Sequence, residues 1–257
     1  MPLDFKFAVR AHQSIAHRYK FKPVNGTFET FQRMKRICSV LDAEVLHLQV
    51  PSSFKLTKTL INNLCSLLSS VNLQKLRLAL ETRGLKSSQM PSELLKAMQD
   101  YNVVHCTDLS KGEMPAYESD TLYTRLFGRG KHNVYQPTDE ELSEIDNRAS
   151  GGKSEKIVMS FHFVRMYKDA ARLKMYKQTG KFPMITRSTG LTSLEEVLSE
   201  DARFPSTKQE LIREQGWKIF DLTETERIHS ADLLEKLPET TYNNLGEVID
   251  RLKSVMR

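Results

Sequence analysis

The stretch VLHLQV at residues 45–50 decides the fold, because it is short and mostly apolar and is followed at once by Pro51. A run of this kind is typical of a buried strand in a parallel sheet. Similar runs recur along the chain, and we predict further strands at residues 5–11, 76–81, 103–106, 122–127 and 157–163.

Helical patterns separate these strands. Apolar residues recur with helical spacing at residues 28–41 and 60–68, and helix-start signals open residues 92–98 and 138–148. Alternating strands and helices predict an α/β fold in which helices cover a parallel sheet. We assign residues 1–177 to this domain.

The end of the chain has a different pattern. Residues 189–257 carry capping boxes that begin at Ser193 and Thr223. We predict a small all-α domain there, joined to the first domain by a linker at residues 178–188. Its helices are expected at residues 194–199, 207–215 and 224–237, with a last one along the stripe that begins at Leu245.

Composition excludes several classes of protein. Of 257 residues, 39% are hydrophobic and 27% are charged, with a mean hydropathy of -0.45, which suits a folded globular domain. No apolar run approaches the roughly 18 residues that a membrane span needs. The first residues lack the basic-then-apolar pattern of a signal peptide. We expect a cytoplasmic protein that does not bind membranes.

The positive charge is concentrated in the first part of the chain. Residues 1–180 hold 27 Lys and Arg against 18 Asp and Glu, whereas residues 181–257 hold 11 against 14. The first part is therefore the one suited to attract an anion.

Polar residues lie near the ends of the predicted strands. In a parallel sheet or barrel the carboxyl ends of the strands form the working face, and side chains alternate between two faces along each strand. This alternation predicts a shared polar site formed by Arg10, Gln49, Glu81, Arg83, Tyr123, Arg125 and His162. Burying so many polar groups costs free energy unless they pair or bind something.

Structural roles would explain the same residues. Arg125 and Glu81 would form a buried ion pair, and His162 would be a neutral, hydrogen-bonded core histidine. Gln49 would bind a backbone group in the turn at Pro51. His17, in the loop after the first strand, would either contact a ligand or face solvent.

Two glycine-containing segments invite a phosphate-binding interpretation. The segment FGRGK at residues 127–131 follows a strand, so Arg129 would hold a phosphate there, unless the segment is an ordinary glycine turn with exposed cations. The segment SGGKS at residues 150–154 is not a P-loop, because Asn147 replaces the first glycine and the segment precedes a strand.

No metal or cofactor motif is present in the sequence. The segments HExxH and GxSxG are missing, and the three cysteines form no CxxC pair. Cys106 is expected to be an ordinary buried thiol, with a nucleophilic role as the alternative. The spacing of His47, His105, His162 and Glu81 does not demand a metal, so we expect neither metal nor cofactor, with metal binding by these residues as the alternative.

Several ordered motifs in residues 1–177 together resemble a known family. They are DFKFAVRA at 4–11, IAH at 15–17, LQVPSSF at 48–54, ETR at 81–83, YTRLFGR at 123–129 and FH at 161–162. The pattern resembles the domain of unknown function 72 family. The resemblance implies a TIM-barrel-like fold and brings no established activity.

The departures from the family pattern concern the site. Phe127 stands where the family has histidine, His162 where it has asparagine, Arg10 where it has lysine and Ala16 where it has threonine. Family members also open with two further strand–helix units. We therefore predict an incomplete barrel of about six strands, with Met1 as a start assigned too late as the alternative. Its gap would be filled by the helical tail, by a partner subunit or by nothing ordered.

Two functions follow as hypotheses. In the first, the strand ends bind a phosphorylated or other anionic ligand, with hydrolysis as a further option. Arg10, Arg125 and Arg129 would hold the anion, and Glu81 would act as general acid or base with His162. In the second, the protein is a non-catalytic scaffold that docks nucleic acid or a protein, or associates with itself at the open edge. The sequence leaves open whether it is an enzyme.

Overall fold

The computed structural model describes residues 6–73 and 75–256, so the predicted strand residue Phe5 lies outside the described part. The described chain forms two compact units. The first unit contains the residues up to Arg125 together with Arg148–Ser160, and the second contains Leu126–Asn147 together with the residues from Phe161 onwards. The predicted linker at residues 178–188 lies inside the second unit, and as a domain boundary it stays a prediction.

Six strands follow one another through the first unit, at the places that the sequence predicts. Four of them form a parallel sheet in chain order. A parallel bridge between Thr107 and Thr124 follows the fourth strand, and the last two strands pair with each other. Their bounds are β1 Ala8–Arg10, β2 Val45–Val50, β3 Arg77–Thr82, β4 Val104–Cys106, β5 Thr121–Leu126 and β6 Lys156–Phe161.

Helices connect these strands as predicted, which confirms the α/β class. In α3 (Lys58–Ser70) the Thr57 side chain accepts a hydrogen bond from the Leu60 N–H, and an apolar stripe faces the core. The other helices are α1 Ser14–His17, α2 Asn25–Val40, α4 Ser92–Asp100, α5 Asp139–Ser150, α6 Met166–Thr179, α7 Gly190–Ser199, α8 Lys208–Gln215, α9 Ser230–Leu234 and α10 Leu245–Val255.

The two faces of the sheet in the first unit differ in chemistry. One face carries Leu46, Leu48, Leu78 and Leu80, which are buried in the main core with apolar residues of α2, α3 and α4. We call the opposite face the inner face. Its apolar part consists of Val45, Ala79, Val104, Cys106 and Tyr123, and polar side chains lie toward the carboxyl ends of the same strands.

The second unit has its own core, built from α7, α8, α9 and α10. Contrary to the expected all-α tail, it also contains short antiparallel pairs. Their strands are β7 Ser206–Thr207 with β10 Thr241–Tyr242, and β8 Ile219–Asp221 with β9 Arg227–His229. The helix predicted at residues 224–237 is therefore reduced to α9. Pairing with β8 places Arg227 beside Asp221, which a helix at that place would prevent.

A buried charge network holds parts of the second unit together. Asp139 accepts from Arg172 at 2.5 Å and from Arg227 at 2.9 Å, and Arg227 also donates to Asp221 at 2.8 Å. Arg172 donates to Asp169 at 3.0 Å. All five side chains are at least nine-tenths buried, so each charge depends on the others for compensation.

Within the part of the chain that the structure describes, no helix combines the length and the apolar character needed to span a membrane.

Candidate functional site

Glu81 is the centre of the polar layer on the inner face. Its Oε2 atom lies 2.5 Å from Nη1 of Arg125 and 2.9 Å from Nε2 of His47, and its Oε1 atom accepts from Nε of Arg83 at 2.8 Å. Glu81, Arg125 and His47 are buried, whereas the Arg83 side chain is 40% exposed. The cluster therefore extends from the sheet interior to a solvated side chain.

Strand register explains why these side chains meet. In the parallel ladders Gln49 pairs with Glu81, and Glu81 pairs with Cys106. His47 is two residues before Gln49, so both lie on the inner face. The Arg125 N–H donates to the Thr107 carbonyl at 3.1 Å, which places β5 beside the end of β4.

The environment keeps Glu81 ionised. Burial by itself raises the pKa of this carboxyl group, but the contacts with His47 and Arg83 and the charge of Arg125 together lower it to about 2. Near neutral pH the group therefore carries a full negative charge and has no proton to donate.

Burial keeps the neighbouring groups neutral. It lowers the pKa of His47, and the positive charges of Arg125 and Arg10 lower it further, although Glu81 acts in the opposite direction. Burial likewise raises the pKa of Tyr123 to about 12 and that of the Cys106 thiol above its ordinary value. The rings of Tyr123 and His47 lie 5.7 Å apart.

Of the residues predicted for the site, several lie together on the inner face. Glu81, Arg83, Arg125 and Tyr123 belong to this cluster, and Gln49 is next to Glu81 in register. The Oε1 atom of Gln49 is buried without a hydrogen-bond partner among the described residues. The exposed Arg10 pairs in register with His47 at the end of β1.

Other predicted residues lie elsewhere. His17 is exposed, with its ring 5.8 Å from that of Phe54. His162 belongs to the second unit, where its ring stacks on Phe127 with 4.8 Å between centroids and 17° between planes. The two residues that depart from the family pattern at these positions are therefore in contact with each other. The pairing of His162 with Glu81 in catalysis stays a prediction.

The glycine segment after β5 is explained by its own backbone. Gly128 has a φ of +77°, and a Cβ atom at Gly130 would collide with the carbonyl oxygen of Val134. Arg129 is exposed and lies 3.3 Å from Glu141. These observations favour the turn interpretation over the phosphate loop, and the role of Arg129 in binding stays a prediction.

Two residues of the cluster, His47 and Cys106, were not among the predicted site residues, although the sequence analysis gave a nucleophilic role for Cys106 and metal binding by His47 as alternatives. A signal for His47 was present, because it shares its strand face with Gln49. The position of Cys106 beside Glu81 depends on the register between β3 and β4, which no pattern in the sequence reports.

An inward-facing polar cluster at the carboxyl ends of parallel strands, with helices between the strands, defines a TIM-barrel-like α/β protein. The model of the family described as "Protein of unknown function DUF72" matches residues 1–181, and the chain belongs to this family.

Solved structures agree with this fold. A DUF72 family protein from Thermotoga maritima has 20% sequence identity and a TM-score of 0.51, with 69% of this chain and 75% of that chain covered. A DUF72 family protein from Enterococcus faecalis has 14% identity and a TM-score of 0.53, with 69% and 80% covered. No curated protein matches the chain.

Proposed function

We propose that the inner-face cluster binds a small anionic ligand, with a phosphate group as the preferred chemistry. The observation that carries the proposal is the positive charge at the strand ends. The guanidinium groups of Arg83 and Arg125 both contact the carboxylate of Glu81. The positive charge of the exposed Arg10 acts on the neighbouring His47. Guanidinium groups suit phosphate because their planar fork of donors matches its oxygens.

Asp108 is the nearby acidic residue. Its Oδ1 atom accepts from the Ser110 N–H at 3.0 Å, and its carboxylate lies 3.6 Å from Nζ of Lys111. The positive charge of Lys111 therefore compensates part of the charge of Asp108.

Glu81 has a positioning role in this proposal. A buried guanidinium group such as that of Arg125 costs several kcal/mol unless it is paired, so Glu81 allows Arg125 to occupy the inner face. The same carboxylate contacts Arg83, whose partly exposed side chain can be reached by an entering anion.

General acid catalysis by Glu81 is not part of the proposal. A carboxyl group with a pKa of about 2 has no proton to give near neutrality and is a weak base, whereas efficient acid–base groups have a pKa near the working pH. The low pKa of Glu81 therefore favours a role in binding over one in acid catalysis.

Calorimetric titration with inorganic phosphate tests the proposal. Arg83→Gln and Arg10→Gln are expected to weaken binding by about tenfold or more, because each removes a charge-assisted contact. Both side chains are solvent-accessible, so these variants are expected to fold. Arg33→Gln is the matched control, because Arg33 is an exposed arginine of α2.

Unchanged phosphate affinity in both site variants would contradict the proposal. A single-stranded oligonucleotide is titrated in parallel. If it binds with a steep dependence on salt while inorganic phosphate does not bind, the ligand is a nucleic acid and the small-ligand proposal is wrong.

A further inference from the structure

Three side chains of the inner face bring together the donor atoms of a metal site. They are His47 on β2, Glu81 on β3 and Cys106 on β4, and all three residues are buried. One nitrogen, one oxygen and one sulfur atom lie within 4.8 Å of one another. Because these strands are adjacent and in register, the backbone ladders hold the three donors in place.

The His47 ring provides a second observation that points to a ligand at this place. Its side chain is 2% exposed, and Nε2 has no regular hydrogen bond to any described residue. Oε2 of Glu81 lies 2.9 Å from this nitrogen, which is close enough for a hydrogen bond, but the contact does not have hydrogen-bond alignment. Two atoms with lone pairs approach this closely only when a proton or a cation lies between them.

The second buried histidine of this sheet behaves differently. Nδ1 of His105 accepts from the Ala116 N–H at 2.9 Å, and its Nε2 lies 3.5 Å from the Thr82 hydroxyl group. Both ring nitrogens of His105 thus have polar neighbours, so the unsatisfied nitrogen is specific to His47.

We propose that His47, Glu81 and Cys106 bind a zinc ion. Imidazole nitrogen, carboxylate oxygen and thiolate sulfur are the donors that Zn²⁺ uses in proteins, and three protein ligands leave a fourth position for water or another ligand. Tetrahedral bonds of zinc length place donor atoms roughly 3.3–3.8 Å apart. The most distant pair would therefore need to close by about 1 Å from the 4.8 Å limit.

The charges of the cluster are compatible with this ion. When zinc binds, the Cys106 S–H proton passes to solvent as the Zn–S bond forms. The two positive charges of zinc are then offset by the thiolate and by Glu81. Arg83 and Arg125 remain hydrogen-bond donors to the coordinating carboxylate, which is a common arrangement around metal ligands.

Cobalt(II) replaces zinc as the spectroscopic probe. The full chain is reduced, freed of metal with a chelator and titrated with cobalt(II) in phosphate-free buffer. We expect visible bands of tetrahedral intensity and a thiolate-to-cobalt charge-transfer band in the near ultraviolet, all of which zinc removes. If the reduced protein shows no charge-transfer band, the proposal is overturned.

Matched variants assign the ligands. Cys106→Ala is expected to remove the charge-transfer band and to weaken metal affinity by more than the 10–100-fold that loss of an outer partner typically costs. Cys38→Ala, at another buried cysteine, is expected to retain both. His47→Gln gives a second measurement if Cys106→Ala does not fold, and unchanged metal affinity in His47→Gln overturns the proposal.

The zinc and phosphate proposals both involve Glu81, but a different variant tests each of them. Arg10→Gln, which removes no contact to Glu81, is expected to weaken phosphate binding about tenfold or more in metal-free protein while retaining the cobalt bands. Cys106→Ala is expected to lose the cobalt charge-transfer band while retaining phosphate binding.

Discussion

The two buried charge clusters of this protein have opposite compositions. In the second unit, the carboxylates of Asp139, Asp169 and Asp221 surround the guanidinium groups of Arg172 and Arg227. On the inner face of the first unit, Arg83 and Arg125 share the carboxylate of Glu81, with the positive charge of Arg10 nearby.

The two clusters also differ in the solvent exposure of their arginine side chains. Both arginines of the second unit are at most 6% exposed, whereas Arg83 is 40% exposed. A closed network of charges that compensate each other stabilises one arrangement of the chain. A cluster with excess cations and an open side can gain free energy by binding an anion. The first arrangement is typical of a structural network, and the second is the basis of the proposed ligand site.

The largest change in the free energy of unfolding is expected from a substitution at Asp139. Asp139→Ala leaves the buried guanidinium groups of Arg172 and Arg227 without a shared partner, so the free energy of unfolding should fall by about 3–5 kcal/mol. Urea denaturation measures this change. Asp250→Ala, which removes an exposed carboxylate near Lys253, serves as the control and should change stability by less than about 1 kcal/mol. A small effect at Asp139 would show that the network is not structural.

Glu81→Gln should lower the free energy of unfolding less than Asp139→Ala does, and urea denaturation measures both changes. The variant keeps an acceptor for Arg83 and Arg125, and water solvates the exposed Arg83, so the expected loss is about 1.5–3 kcal/mol. A loss larger than that of Asp139→Ala would reverse the comparison and make the inner-face cluster the main structural one.

Asp169 should make stability depend on pH. Burial raises its pKa from 3.8 to about 6, against the effect of Arg172. Asp169 therefore binds a proton more tightly in the folded state than in the unfolded state. The stabilisation that this proton gives is complete below about pH 4 and is lost as pH rises through 6. Relative to Asp169→Asn, the wild type should lose on the order of 3 kcal/mol across this window. Parallel stability curves for the two proteins would contradict the expectation.

The smallest change in the free energy of unfolding is expected from a substitution at Arg129. Its side chain is 59% exposed and lies 3.3 Å from Glu141, so Arg129→Gln should change the free energy of unfolding by less than about 1 kcal/mol. Phosphate affinity measured by calorimetry should stay the same. A clear loss of phosphate affinity would add the glycine segment at residues 127–131 to the binding site.

Much of the first unit could be predicted because local patterns and burial agree there. The run at residues 45–50 forms β2 with the predicted bounds, and the stripe at residues 60–68 lies within α3. The alternation along β3 correctly places Glu81 on the inner face. The secondary structure of the tail was harder to predict. The strand at residues 227–229 is too short to show the alternation of a strand, and the residues around it have a helical pattern.

The sequence by itself determined which segments become strands and helices and which side chains of each strand share a face, since those properties depend on residues close together in the chain. Only the tertiary structure decided that Glu81 meets His47, Arg83, Arg125 and Cys106, and that His162 stacks on Phe127. Such contacts depend on strand register and on packing between distant segments, and the free energy that selects them arises only when these segments come together.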